Sequence, residues 1–222
     1  MDSTTCGFLV GLMNLMAKGR HVQASGVHGE GQEEMKTGMI FWAASLLIYG
    51  FLLGISREYE SNSLFYHFLL LSFPIFSVVS KRESLSTIGF RKGEVKRGAL
   101  FCGLMVLVIA YQVLRRPEFK LNLDFYSLFS TVFFAPLTEE LFFRGYLQPK
   151  FEERWSTEKG VFFVSFLFAL IHVPKLLFTP LINPLDLIYF FIFGFFCGYA
   201  RSETNSLIYP IVCHSIWNLF AS

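Results

Sequence analysis

Charged residues are scarce in this chain of 222 residues, where they account for only 16% of the sequence. Hydrophobic residues account for 53%, whereas a soluble domain has about 45–50% apolar and about 25% charged residues. The net charge is +2, and no basic stripe with interleaved aromatic residues occurs, which argues against a nucleic-acid partner. The composition therefore predicts a protein whose surroundings are the lipid bilayer.

Cysteine is also rare, and its four positions (Cys6, Cys102, Cys197 and Cys213) form no C-x-x-C pair. Three of the four lie in apolar runs, where a cysteine behaves as a small hydrophobic residue. The spacing therefore predicts neither a disulfide framework nor a zinc ribbon.

The signatures of several protease classes are missing. No H-E-x-x-H segment occurs, which excludes the zincin arrangement, and no G-x-S-x-G surrounds a serine. Ser165 and Ser215 have no evident histidine partner, and no paired aspartates occur in a G-x-G-D setting. Cys213 and His214 are adjacent, and neighbours on a helix diverge by about 100°, so they do not form a nucleophile–base pair.

Long apolar runs fill most of the chain from residue 38 onward. Only helices and closed barrels span lipid, and the short alternating strands of a barrel are absent from the sequence. We therefore predict an all-α polytopic membrane protein of about seven transmembrane helices around a polar intramembrane cavity. The predicted spans are Gly38–Ser56, Asn62–Ser80, Gly98–Leu114, Asp124 to about Tyr146, Gly160–Phe178, Pro184–Ala200 and Ser206–Ala221.

The domain organisation and orientation follow from the polar segments. Residues 1–37 are predicted to form a flexible N-terminal tail, and residues 38–222 a single membrane-embedded domain. Basic residues are concentrated in cytoplasmic loops, which makes the second connection cytoplasmic and places the N-terminus inside. The basic residues of that connection are Lys81, Arg82, Arg91, Lys92, Lys96 and Arg97.

Three short segments place polar or charged residues inside apolar runs. A charged side chain at membrane depth costs a few kcal/mol or more and usually marks a functional site. Carboxylates, imidazoles and a carboxamide are the groups needed for general acid–base chemistry with a stabilised oxyanion. The segments are Glu139-Glu140-Leu-Phe-Phe-Arg144, Phe168-Ala-Leu-Ile-His172 and His214-Ser-Ile-Trp-Asn218.

The first segment predicts a division of roles between two carboxylates. Glu140 and Arg144 are four residues apart, so they share one helical face and can form an ion pair. Glu139 then points away from that pair and faces the cavity. The competing interpretation is a charge cluster at the membrane interface.

The other two segments predict further polar groups in the same cavity. Pro174 follows His172 closely and breaks the helix, which can open a water-accessible pocket. His214 and Asn218 share a helical face, and two hydrogen-bond donors that converge there would suit an oxyanion. The competing interpretation in each case is a polar contact between packed helices.

The three segments resemble the motifs E-E-x-x-x-R, F-x-x-x-H and H-x-x-x-N of the CPBP family. This family is also called ABI or CAAX-protease-like, and it includes the type II CAAX prenyl endopeptidases. All three motifs occur in the family's order and on separate predicted helices, and the resemblance covers about residues 80–222. The flanking residues Ala135-Pro136-Leu137, Gly145, Ser206-Leu207 and Pro210 match as well.

The resemblance implies a glutamate-dependent intramembrane endopeptidase that acts on a membrane-anchored protein or peptide. By matching position, Glu139 with His172 would activate the attacking water, and His214 with Asn218 would stabilise the oxyanion. The ion pair between the second glutamate and the arginine would be structural. No cofactor is expected, and the alternative is a catalytic Zn²⁺ held by Glu139, His172 and His214.

One departure from the family's eukaryotic members concerns the substrate and the source. Those members usually show a second histidine after the F-x-x-x-H motif, whereas Val173-Pro174-Lys175 follows here. This pattern resembles the bacterial type, which implies the bacterial cytoplasmic membrane and makes a prenylated substrate less expected. The alternative function is a non-catalytic membrane scaffold or a bacteriocin self-immunity protein of the same family.

Overall fold

The computed structural model describes residues 30–56, 59–82, 84–115 and 124–221. Within these ranges the secondary structure consists of helices joined by turns and contains no β-strand, which confirms the all-α prediction. The helices are α1 (Glu30–Ser56), α2 (Tyr59–Ser80), α3 (Val95–Leu114), the continuous run α4 from Phe125 to Arg154, α5 (Thr157–Leu170), α6 (Val173–Phe178), α7 (Pro184–Thr204) and α8 (Ile208–Ala221).

Five segments among the described residues are long and apolar enough to cross a membrane, and α5 and α6 together form one of them. The other two predicted spans correspond to α4, whose geometry changes along its length, and to α8, which has 14 residues. The protein is therefore a polytopic integral membrane protein. The five segments are Gly31–Ser56, Ser61–Ser80, Val95–Leu114, Thr157–Phe178 and Pro184–Thr204.

The first helix begins earlier than the apolar run predicts. Residues 30–37, which the sequence placed in a flexible tail, form the first turns of α1. The physical reason is an ionic contact that composition does not reveal: the Glu34 carboxylate pairs with the ammonium groups of Lys81 and, at 3.2 Å, Lys150. The rest of the predicted tail, residues 1–29, lies outside the described residues.

The α4 run alternates between two helical forms. A π-helix is rare, and short π segments occur frequently at functional sites. The Glu-Glu pair of the first motif lies in the α-helical turn between two such segments, and the second of them is buried along its whole length. In chain order the pieces of α4 are Phe125–Ser127 (α), Leu128–Phe134 (π), Ala135–Glu140 (α), Leu141–Leu147 (π) and Gln148–Arg154 (α).

Helix α7 packs closely against α4 and α5 because it carries a glycine at the contact. A Cβ atom on Gly198 would lie 2.8 Å from the Val161 side chain, which is too close for any larger residue. The Gly198 carbonyl also accepts a hydrogen bond of 2.9 Å from the amide of Gln148, and that amide donates to Glu152 and Ser202 as well. These polar contacts join the end of α4 to α7.

Four parts of the chain meet at one end of the helix bundle. The α2–α3 connection contacts the turn between α7 and α8, where the Arg91 side chain donates to the Asn205 carbonyl at 2.7 Å and the Leu207 amide donates to Gly89 at 2.8 Å. The contacts of Glu34 bring the start of α1 and the end of α4 to the same end. The predicted topology requires this shared end, because it places all four parts on one side of the membrane.

The side on which this end lies is tested by labelling introduced cysteines. Lys92 is exposed at this end, and Phe125, which is 84% exposed, lies at the start of α4 near the other. With the basic connection inside, Lys92→Cys should react with a membrane-impermeant maleimide only after cells are permeabilised. Phe125→Cys should react in intact cells, and the parent protein gives the background. The reverse labelling pattern would show that the basic connection lies outside and that the predicted orientation is wrong.

Candidate active site

A cavity of about 580 Å³ lies between the helices and brings the three motifs together. Glu139, His172, His214 and Asn218 all line it. The sequence predicted this common location, and the competing interpretation of a charge cluster at the membrane interface does not fit it. Glu139 is only 7% exposed, so its carboxylate lies well inside the bundle.

The Glu139 carboxylate lies between two imidazole rings. Its Oε1 atom is 3.8 Å from Nδ1 of His67, and its Oε2 atom is 3.8 Å from Nε2 of His214. These distances exceed the range of a direct hydrogen bond, but they are short enough for strong electrostatic interaction or for one bridging water. Each carboxylate oxygen therefore has one histidine beside it.

The neighbouring carboxylate, Glu140, is fully buried and has two partners. Its Oε1 atom lies 3.3 Å from Nη1 of Arg144, as the sequence predicted, and 2.9 Å from Nδ1 of His214. An ionised carboxylate only accepts hydrogen bonds, so we assign the proton to Nδ1 of His214. The second partner was not predicted, and it leaves Nε2 as the ring nitrogen that faces Glu139.

Arg144 connects the first motif to the second and to helix α7. Its side chain is fully buried, and Nη2 donates a hydrogen bond of 2.9 Å to the carbonyl of Gly194. The guanidinium carbon lies 4.4 Å from the centroid of the Phe168 ring, a favourable cation–π geometry. A Cβ atom on Gly194 would lie 3.2 Å from Nη2, so a glycine keeps this approach open.

His172 lies in the turn between α5 and α6 and is oriented by contacts of its own. Its Nδ1 atom is 3.2 Å from the Phe168 carbonyl, and its ring stacks on Phe190 with 3.7 Å between the centroids. In the described part of the chain, no nitrogen of His172 lies within the 4.0 Å ion-pair distance of Glu139. The pairing of Glu139 with His172 that the resemblance implied is therefore not a direct contact.

Asn218 lies one helical turn after His214 on α8 and faces the first π segment of α4. Its Nδ2 atom donates a hydrogen bond of 2.8 Å to the carbonyl of Thr131. This bond fixes the orientation of the carboxamide in the cavity wall. His214 and Asn218, which the sequence places on one helical face, both line the cavity.

A zinc ion held by Glu139, His172 and His214 is the alternative to a metal-free site. Within the described ranges, no three His, Cys, Asp or Glu side chains are placed to hold a metal ion. Zinc ligands lie about 2.0–2.2 Å from the metal, so the proposed set of Glu139, His172 and His214 would have to converge more closely than it does. The residues do not fit a resident zinc in this arrangement.

His67 and Thr138 also belong to the site, although none of the three motifs contains them. His67 lies in α2, is 8% exposed and lines the cavity; its Nδ1 atom is 3.0 Å from the Thr138 hydroxyl oxygen. Like His172, His67 is an ionisable residue inside an apolar run, and this feature could have indicated it. His67 was not predicted to be a site residue because it lies outside the three motif segments.

The fold and the site together define an integral membrane protein with a buried cavity of carboxylate and imidazole groups. Residues 121–220 match the family model described as Rce1-like, type II CAAX prenyl endopeptidase. Residues 121–220 therefore form a domain of the CPBP or CAAX-protease-like family, a family of membrane proteases, as the motifs within them indicated. No curated protein and no solved structure gives a match.

The buried ion pair yields a prediction about stability. Arg144→Ala should lower the free energy of unfolding by about 3–5 kcal/mol, because it leaves Glu140 buried without its counter-charge. The matched control is Arg97→Ala, which removes an ion pair with Glu203 whose arginine side chain is 41% exposed. That change should cost no more than about 1 kcal/mol. Denaturant unfolding in mixed micelles measures both, and equal losses would contradict the prediction.

Proposed function

We propose that this protein is an intramembrane endopeptidase that hydrolyses a peptide bond in a membrane-anchored protein or peptide. The observation that carries the proposal is the Glu139 carboxylate, which lies in the cavity between two imidazoles while Glu140 is occupied by Arg144 and His214. A scaffold or immunity protein has no need of such a carboxylate. Membership of a protease family supports the same conclusion.

In the proposed mechanism Glu139 is the general base. It takes a proton from a water molecule as the water oxygen attacks the carbonyl carbon of the substrate, and a tetrahedral oxyanion forms. The carbon–nitrogen bond then breaks, and the leaving amine takes up the proton. General-base catalysis of this kind contributes about 10²–10⁴-fold to the rate.

The proposed oxyanion donors are His214 and Asn218. Because Nδ1 of His214 faces Glu140, Nε2 can donate only when the ring carries both protons, and the Glu140 carboxylate stabilises that imidazolium. His172 shares the proton of the water in this proposal. Catalytic hydrogen bonds are often long without substrate and tighten when it binds. The lack of a direct contact between His172 and Glu139 is consistent with this behaviour.

The proposed substrate and location follow from the family and from the second motif. The matched family includes prenyl endopeptidases, but Val173-Pro174-Lys175 after His172 favours the bacterial type and a substrate without a prenyl group. We propose the bacterial cytoplasmic membrane, with the N-terminus inside, as the location.

The activity is tested with one peptide that ends in a CAAX sequence, prepared in a prenylated and an acylated form. Purified protein in lipid should cleave the acylated peptide, and Glu139→Gln should lower the rate by about 10²–10⁴-fold because the general base is lost. Glu203→Gln, at the basic end of the bundle, is the control and should retain activity. Mass spectrometry identifies the products.

Three outcomes would contradict parts of this proposal. Equal cleavage by Glu139→Gln would remove Glu139 as the base, and cleavage of the prenylated form alone would correct the substrate. If neither form is cut, comparing the membrane proteomes of cells with the parent protein and with Glu139→Gln decides the question. Identical proteomes would favour the scaffold or immunity function.

The metal-free mechanism yields a separate prediction. Exhaustive chelation should leave the cleavage rate unchanged, because the attacking water is activated by Glu139 and not by a metal. Elemental analysis of the purified protein is carried out alongside. Loss of activity on chelation, with recovery on adding stoichiometric Zn²⁺, would overturn the prediction and make Glu139, His172 and His214 ligands.

A further inference from the structure

His67 contributes an imidazole to the site from outside the segment that matches the family model. It lies on α2, whereas the match covers residues 121–220. Its ring is enclosed by Tyr66 and Phe134, with centroid distances of 5.9 Å and 6.3 Å. The ring is therefore held in one place beside Glu139 by packing.

The hydrogen bonds of Thr138 determine how His67 is protonated. The Thr138 hydroxyl donates to the Ala135 carbonyl at 3.0 Å, so its single proton is already used. The same oxygen lies 3.0 Å from Nδ1 of His67 and must accept there. Nδ1 of His67 therefore carries a proton and acts as the donor.

The N–H group of His67 is placed between two acceptors that are adjacent in the chain. One is the Thr138 hydroxyl, and the other is Oε1 of Glu139, 3.8 Å from Nδ1. A donor on this side stabilises the negative charge of the carboxylate. Nε2 of His214 lies beside the other oxygen, so the two imidazoles limit the rotation of the carboxylate from both sides.

We infer that His67, oriented by Thr138, is a positioning residue. It holds the Glu139 carboxylate in the orientation in which it takes a proton from the attacking water. This inference rests on the proposed function, since its main readout is the rate of cleavage. It assigns a role in the reaction to a helix that precedes the family segment. Truncation to the matched segment would thus remove part of the site.

The test separates a role in positioning from a role in packing. The amide of Asn can replace the Nδ1–H donor of histidine, whereas Leu fills similar space without a donor. His67→Leu should lower kcat for the acylated peptide by about 10-fold with little change in KM, because the Glu139 carboxylate loses the N–H dipole beside it. His67→Asn should recover most of that loss.

Two further variants sharpen the test. Thr138→Val should lower kcat by a smaller factor, and adding it to His67→Leu should cause no further loss, because both act through one donor. Leu70→Ala, on the same helix and fully buried, is the packing control: it should lower stability without lowering kcat. If His67→Asn is as impaired as His67→Leu, or if His67→Leu lowers only stability, the inference is wrong.

A second measurement does not depend on cleavage. The rate at which a carbodiimide modifies the Glu139 carboxyl can be followed by mass spectrometry in the intact protein. His67→Leu should raise this rate several-fold because it uncovers Oε1, whereas His67→Asn and Leu70→Ala should leave it close to that of the parent protein. Equal modification rates in all variants would overturn the inference even if the proposed function stands. If the modification rates differ as expected but the parent protein cleaves no peptide, only the proposed function is contradicted.

Discussion

The organisation of the site depends on one fully buried ion pair, Glu140 with Arg144. Two charges at this depth are tolerated only when further hydrogen bonds satisfy them. The arginine donates to a carbonyl of α7 and lies over the face of Phe168, and the glutamate accepts from His214 of α8. The pair therefore joins α4 to three other helices and determines where the cavity lies.

The same pair explains why two adjacent glutamates behave differently. Glu140 has its charge neutralised by Arg144 and holds the proton of His214 on Nδ1, the ring nitrogen that faces Glu140 and not Glu139. Glu139 has no arginine within ion-pair distance in the described part of the chain and faces the cavity between His67 and His214. The structural role of one carboxylate thus creates the chemical environment of the other.

Much of this arrangement could be predicted from sequence, because helical periodicity and the cost of charge in lipid are local properties. They predicted the helices, the Glu140–Arg144 pair and the common cavity. Contacts between distant segments could not be read in the same way. The pairing of Glu34 with Lys81, the bond from His214 to Glu140 and the position of His67 each depend on how helices pack, and the π segments of α4 have no simple sequence pattern.

The positions of the partners along the chain have a consequence for the synthesis of the protein. The partners of Arg144 on α7 and of Glu140 on α8 lie 50 and 74 residues further on. At about 5–20 residues per second, α4 leaves the ribosome several seconds before both have been made. The contact four residues away on the same helix needs no other part of the chain, so it can form as soon as α4 is helical. During membrane insertion the two charges can therefore offset each other before the later helices arrive.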